Sequence, residues 1–269
     1  MDSDNEIRID PIVPWAPEPR AESPPDGLSL GKQAMKLVVI NFSGNVGKTT
    51  VVAHLLKPRM TDAQVFSVES LNLDAAASGV DVERLRGRKY GSLNNQVMLL
   101  ESAIVDVGAS NVEDFLKLMR QYHGSHNDFD HFVVPVVREK KQQVDTVNTI
   151  TELAKLGVPN HRIRVVLNKV DPEDDIEDEF HMLFDLERQQ RTFTLNPDAV
   201  VYTNEVFDLL QAAGMSLPDI TGDGTDYRAK LRDAKDPEYK EYCLRMVALK
   251  RLAVTANHNL DEAFEALFA

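Results

Sequence analysis

The stretch Met35–Leu56, MKLVVINFSGNVGKTTVVAHLL, constrains this chain more than any other. Leu37–Ile40 is a short apolar, β-branched run of the kind that forms a strand buried on both faces. A turn containing Gly44 and Gly47 follows, and then a helical pattern that opens with Lys48-Thr49. Strand, glycine turn and helix in that order aim backbone N–H groups at one point, where the positive end of the helix dipole adds to them. Such a turn receives an anion. Lys48 as a point charge and the Thr49 hydroxyl as a Mg²⁺ ligand make nucleotide phosphates the expected anion, held by Ser43, Gly44, Asn45, Val46, Gly47, Lys48, Thr49 and Thr50.

The common pattern G-x-x-x-x-G-K-[ST] is not met in full, because Phe42 stands where the first glycine belongs. Phe42–Thr49 instead resembles, without a gap, the deviant x-K-G-G-x-G-K-T loop of the MinD/ParA ATPases. Asn45 replaces a glycine of that pattern, which is tolerable because Asn visits positive φ more readily than other side chains. Ser43 replaces the signature lysine. In the family that lysine reaches the phosphates of a partner subunit across a nucleotide-sandwich homodimer, so its loss puts trans-activated hydrolysis in question.

Among 269 residues, 43% hydrophobic content is enough for a sizeable core, read here as one large α/β domain. A formal charge of −13 opposes a direct, non-specific grip on DNA, which depends on Lys and Arg neutralising phosphates. The single cysteine, Cys243, excludes an internal disulfide and suits a reducing cytoplasm. No apolar run is long enough for a transmembrane helix, and Met1–Asp10 is too polar for a secretory signal. A cytoplasmic protein is the expectation.

Met1–Ala34 holds six of the 13 prolines and the only tryptophan, and reads as a disordered or extended leader with Ile12–Trp15 as an alternative partner-binding segment. From Met35 to Asn204 apolar runs alternate with helical patterns, the mark of a doubly wound, mostly parallel sheet flanked by helices. Strands are expected at 64–68, 102–107, 130–137, 163–168 and 200–202, with helices at 112–122, 141–156 and 175–190. Residues 205–269 read as a helical C-terminal extension packed on the same domain. The basic side of 239–252 is followed by an acidic end, so packing is favoured over membrane contact.

Ligands in such sheets sit at the carboxyl ends of the strands. There Ala103–Asp106 ends in a carboxylate that can hold Mg²⁺ together with Thr49, while the Gly108 N–H approaches the γ-phosphate. Asn168-Lys169-Val170-Asp171 is an NKxD tetrad at another strand end. Asn168 can donate to and accept from a purine edge, and Asp171 can bind the guanine N1 and 2-amino groups. ATP is preferred to GTP, with Asp171 the residue that decides. Lys48, Asp106 and Asp74 are the catalytic candidates. Asp74 enters because the MinD/ParA family carries an Asp-x-Asp after the second strand. Here Glu69 and Leu71 fill those positions, leaving Asn72 or Asp74 to substitute through a shift of the loop. His123, His126 and His131 match no zinc spacing.

Four stretches, 41–50, 107–114, 124–130 and 141–146, resemble the StbB-type plasmid stability ATPases of conjugative plasmids, from Met35 nearly to the C-terminus. That resemblance implies a nucleotide-binding protein that works beside a small DNA-binding stability protein in plasmid maintenance, positioning or conjugative transfer. It also makes the FSGN departure a subgroup property. Ser43 and Leu71 together imply weak or partner-dependent hydrolysis. A GTPase and a non-hydrolysing nucleotide-binding scaffold are the alternatives.

Overall fold

The β-branched runs of the sequence become the interior of one sheet. The computed structural model describes residues 34–68 and 82–269. Six parallel strands, β1 (Lys36–Val39), β2 (Gln64–Ser67), β3 (Ala103–Asp106), β4 (His131–Val136), β5 (Ile163–Val170) and β6 (Thr194–Tyr202), lie in the order β2-β3-β1-β4-β5-β6. The doubly wound parallel sheet expected from the alternation is therefore present. β1, β3, β4 and most of β5 are buried on both faces, which is why their sequences lack the polar alternation of a half-exposed strand.

Flanking the sheet are α2 (Val82–Leu99), α3 (Val112–Gln121), α4 (Lys140–Lys155), α5 (Ile176–Glu179) and α6 (His181–Gln190). The helix expected over 175–190 is two pieces. Asp175 caps the first by accepting from the N–H groups of Glu177 and Asp178, and the fully buried Phe180, at φ −114° and ψ 22°, ends it. The strand expected at 200–202 begins earlier, at Thr194, because Arg164 and Val165 of β5 pair with Thr194 and Leu195 before a register shift. The helix α2 was not expected, since its face is polar and carries Gly91 in mid-helix. A Cβ at Gly91 would lie 2.9 Å from the Tyr122 hydroxyl, so the glycine permits a close approach to the end of α3.

Pro135 sits within β4 although the strand is central. Its register with β1 ends at Val39–Val133, so Pro135 faces β1 beyond the end of the ladder and no strand N–H···O bond is missing there. The chain leaves β1 at this point to form the loop described below, and strand order reverses around β1. That reversal is where α/β sheets open a crevice.

Two units are distinguishable in the chain. The larger holds Gly31–Thr203 and His258–Ala269, including the sheet and its core of Val38, Val105, Phe115, Phe132, Val134 and Leu167. β6 is an edge strand, and Asn259 covers part of it by accepting from the Tyr202 N–H and donating to the Val200 carbonyl at 3.0 and 2.9 Å. In the smaller unit, the described residues 204–257 form α7 (Val206–Ala213), α8 (Leu217–Thr221), α9 (Tyr227–Asp233) and the first part of α10 (Pro237–Phe268). A Ser216–Asp219 capping box starts α8, and Lys250 Nζ donates to the carbonyls of Asp223 and Thr225, tying down the loop before α9. Among the described residues no helix is long and apolar enough to cross a membrane.

Candidate functional site

Residues 41–47 leave β1 as a turn and enter α1 (Lys48–Thr50), which continues directly into a π-helical stretch, Val51–Leu56. The turn needs two left-handed residues. Asn45 has φ 60° and Gly47 has φ 80°, while Gly44 has no positive φ and a Cβ there would meet nothing within 4 Å. Only Gly47 is sterically required to be glycine. A Cβ on it would stand 2.3 Å from Asn168 Nδ2.

The loop is held from three sides. From β5, Asn168 Nδ2 donates to the Val46 carbonyl at 2.8 Å and Lys169 Nζ to the Asn45 carbonyl at 3.3 Å. Lys169 itself adopts φ 57° to do so. From α4, the Thr149 hydroxyl accepts from the Phe42 N–H at 3.1 Å and the Thr146 hydroxyl accepts from Asn41 Nδ2 at 2.7 Å. Asn41 spends its other amide proton on the Pro135 carbonyl and accepts the Ser43 N–H on its Oδ1 at 2.8 Å. Asn41, Thr146 and Thr149 are all fully buried.

Inside the turn, Lys48 is 8% exposed and its Nζ donates to the carbonyls of Asn41 and Ser43 at 3.1 and 2.7 Å. The loop folds over the lysine, because an ammonium leaving water needs the carbonyls that the turn points inward. Burial pulls its pKa below the ordinary lysine value, and the Asp106 carboxylate opposes that pull. At the rim, Thr49 Oγ1 donates to Asp106 Oδ2 at 3.0 Å. Gly44, Asn45 and Thr49 are exposed, so the mouth of the turn is open to solvent.

These distances bring Ser43, Val46, Lys48, Thr49, Asp106, Asn168 and Lys169 into one site. Gly108 follows β3 with φ −57° and ψ 142°. Asp171 lies in the turn after β5, where its Oδ1 accepts the Glu173 N–H and its own N–H donates to Asp174 Oδ2, leaving its carboxylate exposed. Asp74, with the rest of the 69–74 candidate segment, lies outside the described residues. The α4 threonines and Asn41 were missed as site residues. The available signal was Gln143, Thr146 and Thr149 recurring at helical spacing on the buried face of α4, where apolar residues are the rule. Beside the loop, Phe42, Ser110, Glu113, Asp145 and Asn148 line an open cavity of about 630 Å³.

A hydroxyl and a carboxylate 3.0 Å apart, both hard oxygen donors at the mouth of the turn, fit a magnesium ion by the chemistry of the donor set. Bound there, Mg²⁺ would be held by Thr49 and Asp106 and would neutralise phosphate charge.

No family model matches this chain, and no curated protein matches it in sequence. Solved structures with a similar chain course include the MinD cell division protein of Aquifex aeolicus, with a TM-score of 0.46 and 15% identity, covering 81% of this chain and 97% of that one. The ATP complex of McdA from Cyanothece gives a TM-score of 0.44 and 14% identity over 82% of this chain and 98% of that one. A MinC:MinD cell division complex, also of Aquifex aeolicus, gives 0.44 and 14%, with 81% and 96% covered. These identities are too low to transfer any residue's role.

Proposed function

We propose that the chain is a switch that binds a purine nucleoside triphosphate with Mg²⁺ in the turn between β1 and α1. One observation carries the reading: the turn encloses Lys48, and its mouth holds the Thr49 hydroxyl and Asp106 carboxylate 3.0 Å apart. In this reading Lys48 leaves the Asn41 and Ser43 carbonyls for phosphate oxygens, gaining a charge-assisted contact in place of neutral ones. Thr49 and Asp106 would hold the ion, which would supply positive charge to the phosphates. Gly108 and the cavity-lining Ser110 follow Asp106 directly, so occupancy of the turn is passed to a surface that a partner can read. The test is binding of labelled ATP and GTP to wild type and Lys48→Ala, with and without Mg²⁺. Saturable, Mg²⁺-strengthened binding lost in the variant is expected, and no binding of either nucleotide by folded wild type overturns the reading.

ATP is the nucleotide proposed first. GTP is the second reading, favoured by one observation: Asn168 and Lys169 of the NKxD tetrad both dock on the loop backbone, which leaves the exposed Asp171 carboxylate as the base-reading group. Competition of unlabelled GTP against labelled ATP separates the two. Ser43 at the signature-lysine position supports slow hydrolysis that depends on a partner, and a basal turnover as fast as an ordinary kinase opposes it.

The resemblance to StbB-type proteins supports a role for this switch in plasmid stability, positioning or conjugative transfer beside a small DNA-binding protein. The net charge of −13 supports leaving DNA contact to that partner. Tight, salt-resistant binding of non-specific duplex by the chain alone would falsify that division of labour.

A further inference from the structure

We propose that Thr149, through the Phe42 N–H, and Thr146, through Asn41, are positioning residues of α4 that hold the first half of the phosphate turn in its nucleotide-receiving shape. The proposal rests on the nucleotide reading above and adds residues from a helix that supplies no phosphate ligand.

Each hydroxyl has one proton, and each proton is already committed. Thr149 Oγ1 donates to the Asp145 carbonyl and Thr146 Oγ1 to the Gln142 carbonyl, both at 2.8 Å and one helical turn back. Their lone pairs therefore face the loop as acceptors, for the Phe42 N–H and for Asn41 Nδ2. Both amide protons of Asn41 are committed in turn, to Pro135 and Thr146, and its Oδ1 accepts the Ser43 N–H. The carbonyls of Asn41 and Ser43 that bracket Lys48 belong to the residues fixed by this set. Two threonines on a buried helix face, where apolar residues would pack without a polar obligation, thus fix where the Lys48 ammonium is held and which way the Ser43 N–H points. When nucleotide takes Lys48 away from those carbonyls, the α4 hydroxyls are what keeps the backbone from relaxing.

In Thr149→Val the shape is retained and the acceptor is lost. The Phe42 N–H then satisfies itself only by turning toward water, away from the nucleotide-receiving loop, so the penalty falls on binding. Equilibrium titration with a fluorescent ATP analogue and Mg²⁺ is expected to show affinity weakened about tenfold in Thr149→Val, with Thr149→Ser restored to within about twofold of wild type. Thermal midpoints of the two variants are expected to be similar, a pattern that a purely structural role does not give. Equal affinities for wild type and Thr149→Val overturn the proposal, as does an equal loss in Val and Ser. If folded wild type binds no nucleotide, the functional reading itself fails. Amide exchange at Phe42 in the nucleotide-free wild type supplies an independent arm: protection is expected even if Thr149→Val does not fold, and rapid exchange there overturns the brace.

Discussion

Gly47 and Asn168 form a pair whose incompatibility with any larger residue can be measured directly. In Gly47→Ala the new methyl would lie 2.3 Å from Asn168 Nδ2, inside the contact limit, while the backbone stays at φ 80°. The left-handed conformation costs a non-glycine residue about 1 to 2 kcal/mol. Asn168 must also withdraw from the Val46 carbonyl, a buried hydrogen bond of 2.8 Å, for about 1 to 3 kcal/mol more. Together these give about 2 to 5 kcal/mol. In an Asn168→Ala background the obstructing amide is gone, so Gly47→Ala should cost only the conformational part, about 1 to 2 kcal/mol. A double-mutant cycle read by urea unfolding at constant m should therefore return a coupling of about 1 to 3 kcal/mol. If Gly47→Ala costs the same in both backgrounds, Asn168 does not clamp the loop, and the geometry argued here for β5 is wrong.

Three further outcomes follow from individual contacts. Lys48→Met should abolish nucleotide binding and also lower stability by about 1 to 2 kcal/mol, because it strips a donor from the carbonyls of Asn41 and Ser43; an unchanged thermal midpoint contradicts the buried placement of the lysine. Burial, reinforced by the nearby Arg164, pushes His131 from 6.5 down to about 4. The unfolded chain thus binds the extra proton first, and stability present above pH 6.5 should decline toward pH 4. The full linkage is about 3.4 kcal/mol, and screening at this half-buried site reduces it to about 1.5; His131→Phe should flatten that part of the pH–stability curve, and an unaltered slope refutes the assignment. Arg59 is 7% exposed at its side chain, pairs with Asp261 at 2.7 Å and donates to the carbonyls of His54 and Leu55. Arg59→Ala should cost about 2 to 3 kcal/mol and Asp261→Asn, at a 41% exposed partner, no more than about 1, measured by thermal denaturation; equal effects would mean that the carbonyl contacts contribute nothing.

Legibility in the sequence tracked how local the cause was. The buried β-branched runs of β1, β3, β4 and β5 announced themselves because a strand covered on both faces tolerates little else. Asn45 at positive φ followed from its side-chain chemistry alone. The break at Phe180 did not, since a fully buried aromatic that reorients a helix is chosen by neighbours distant in sequence. α2 went unforeseen for a related reason: Gly91 looks like a helix weakness until Tyr122 is seen pressing against it. Asp74, a candidate from sequence, lies outside the described residues.

What the order of residues fixed unaided was the glycine turn and its charge carriers, because a strand, a turn and a helix start are neighbours in the chain and their backbone N–H groups converge by local geometry. Whether that turn keeps its shape was decided elsewhere. Asn168 comes from β5 and Thr146 and Thr149 from α4, more than a hundred residues from the loop they hold. Their hydrogen bonds exist only after the sheet has ordered β4 and β5 beside β1. A polar side chain on a buried face gives no sign in one dimension of which distant backbone group it satisfies, so that part of the site belongs to the tertiary structure.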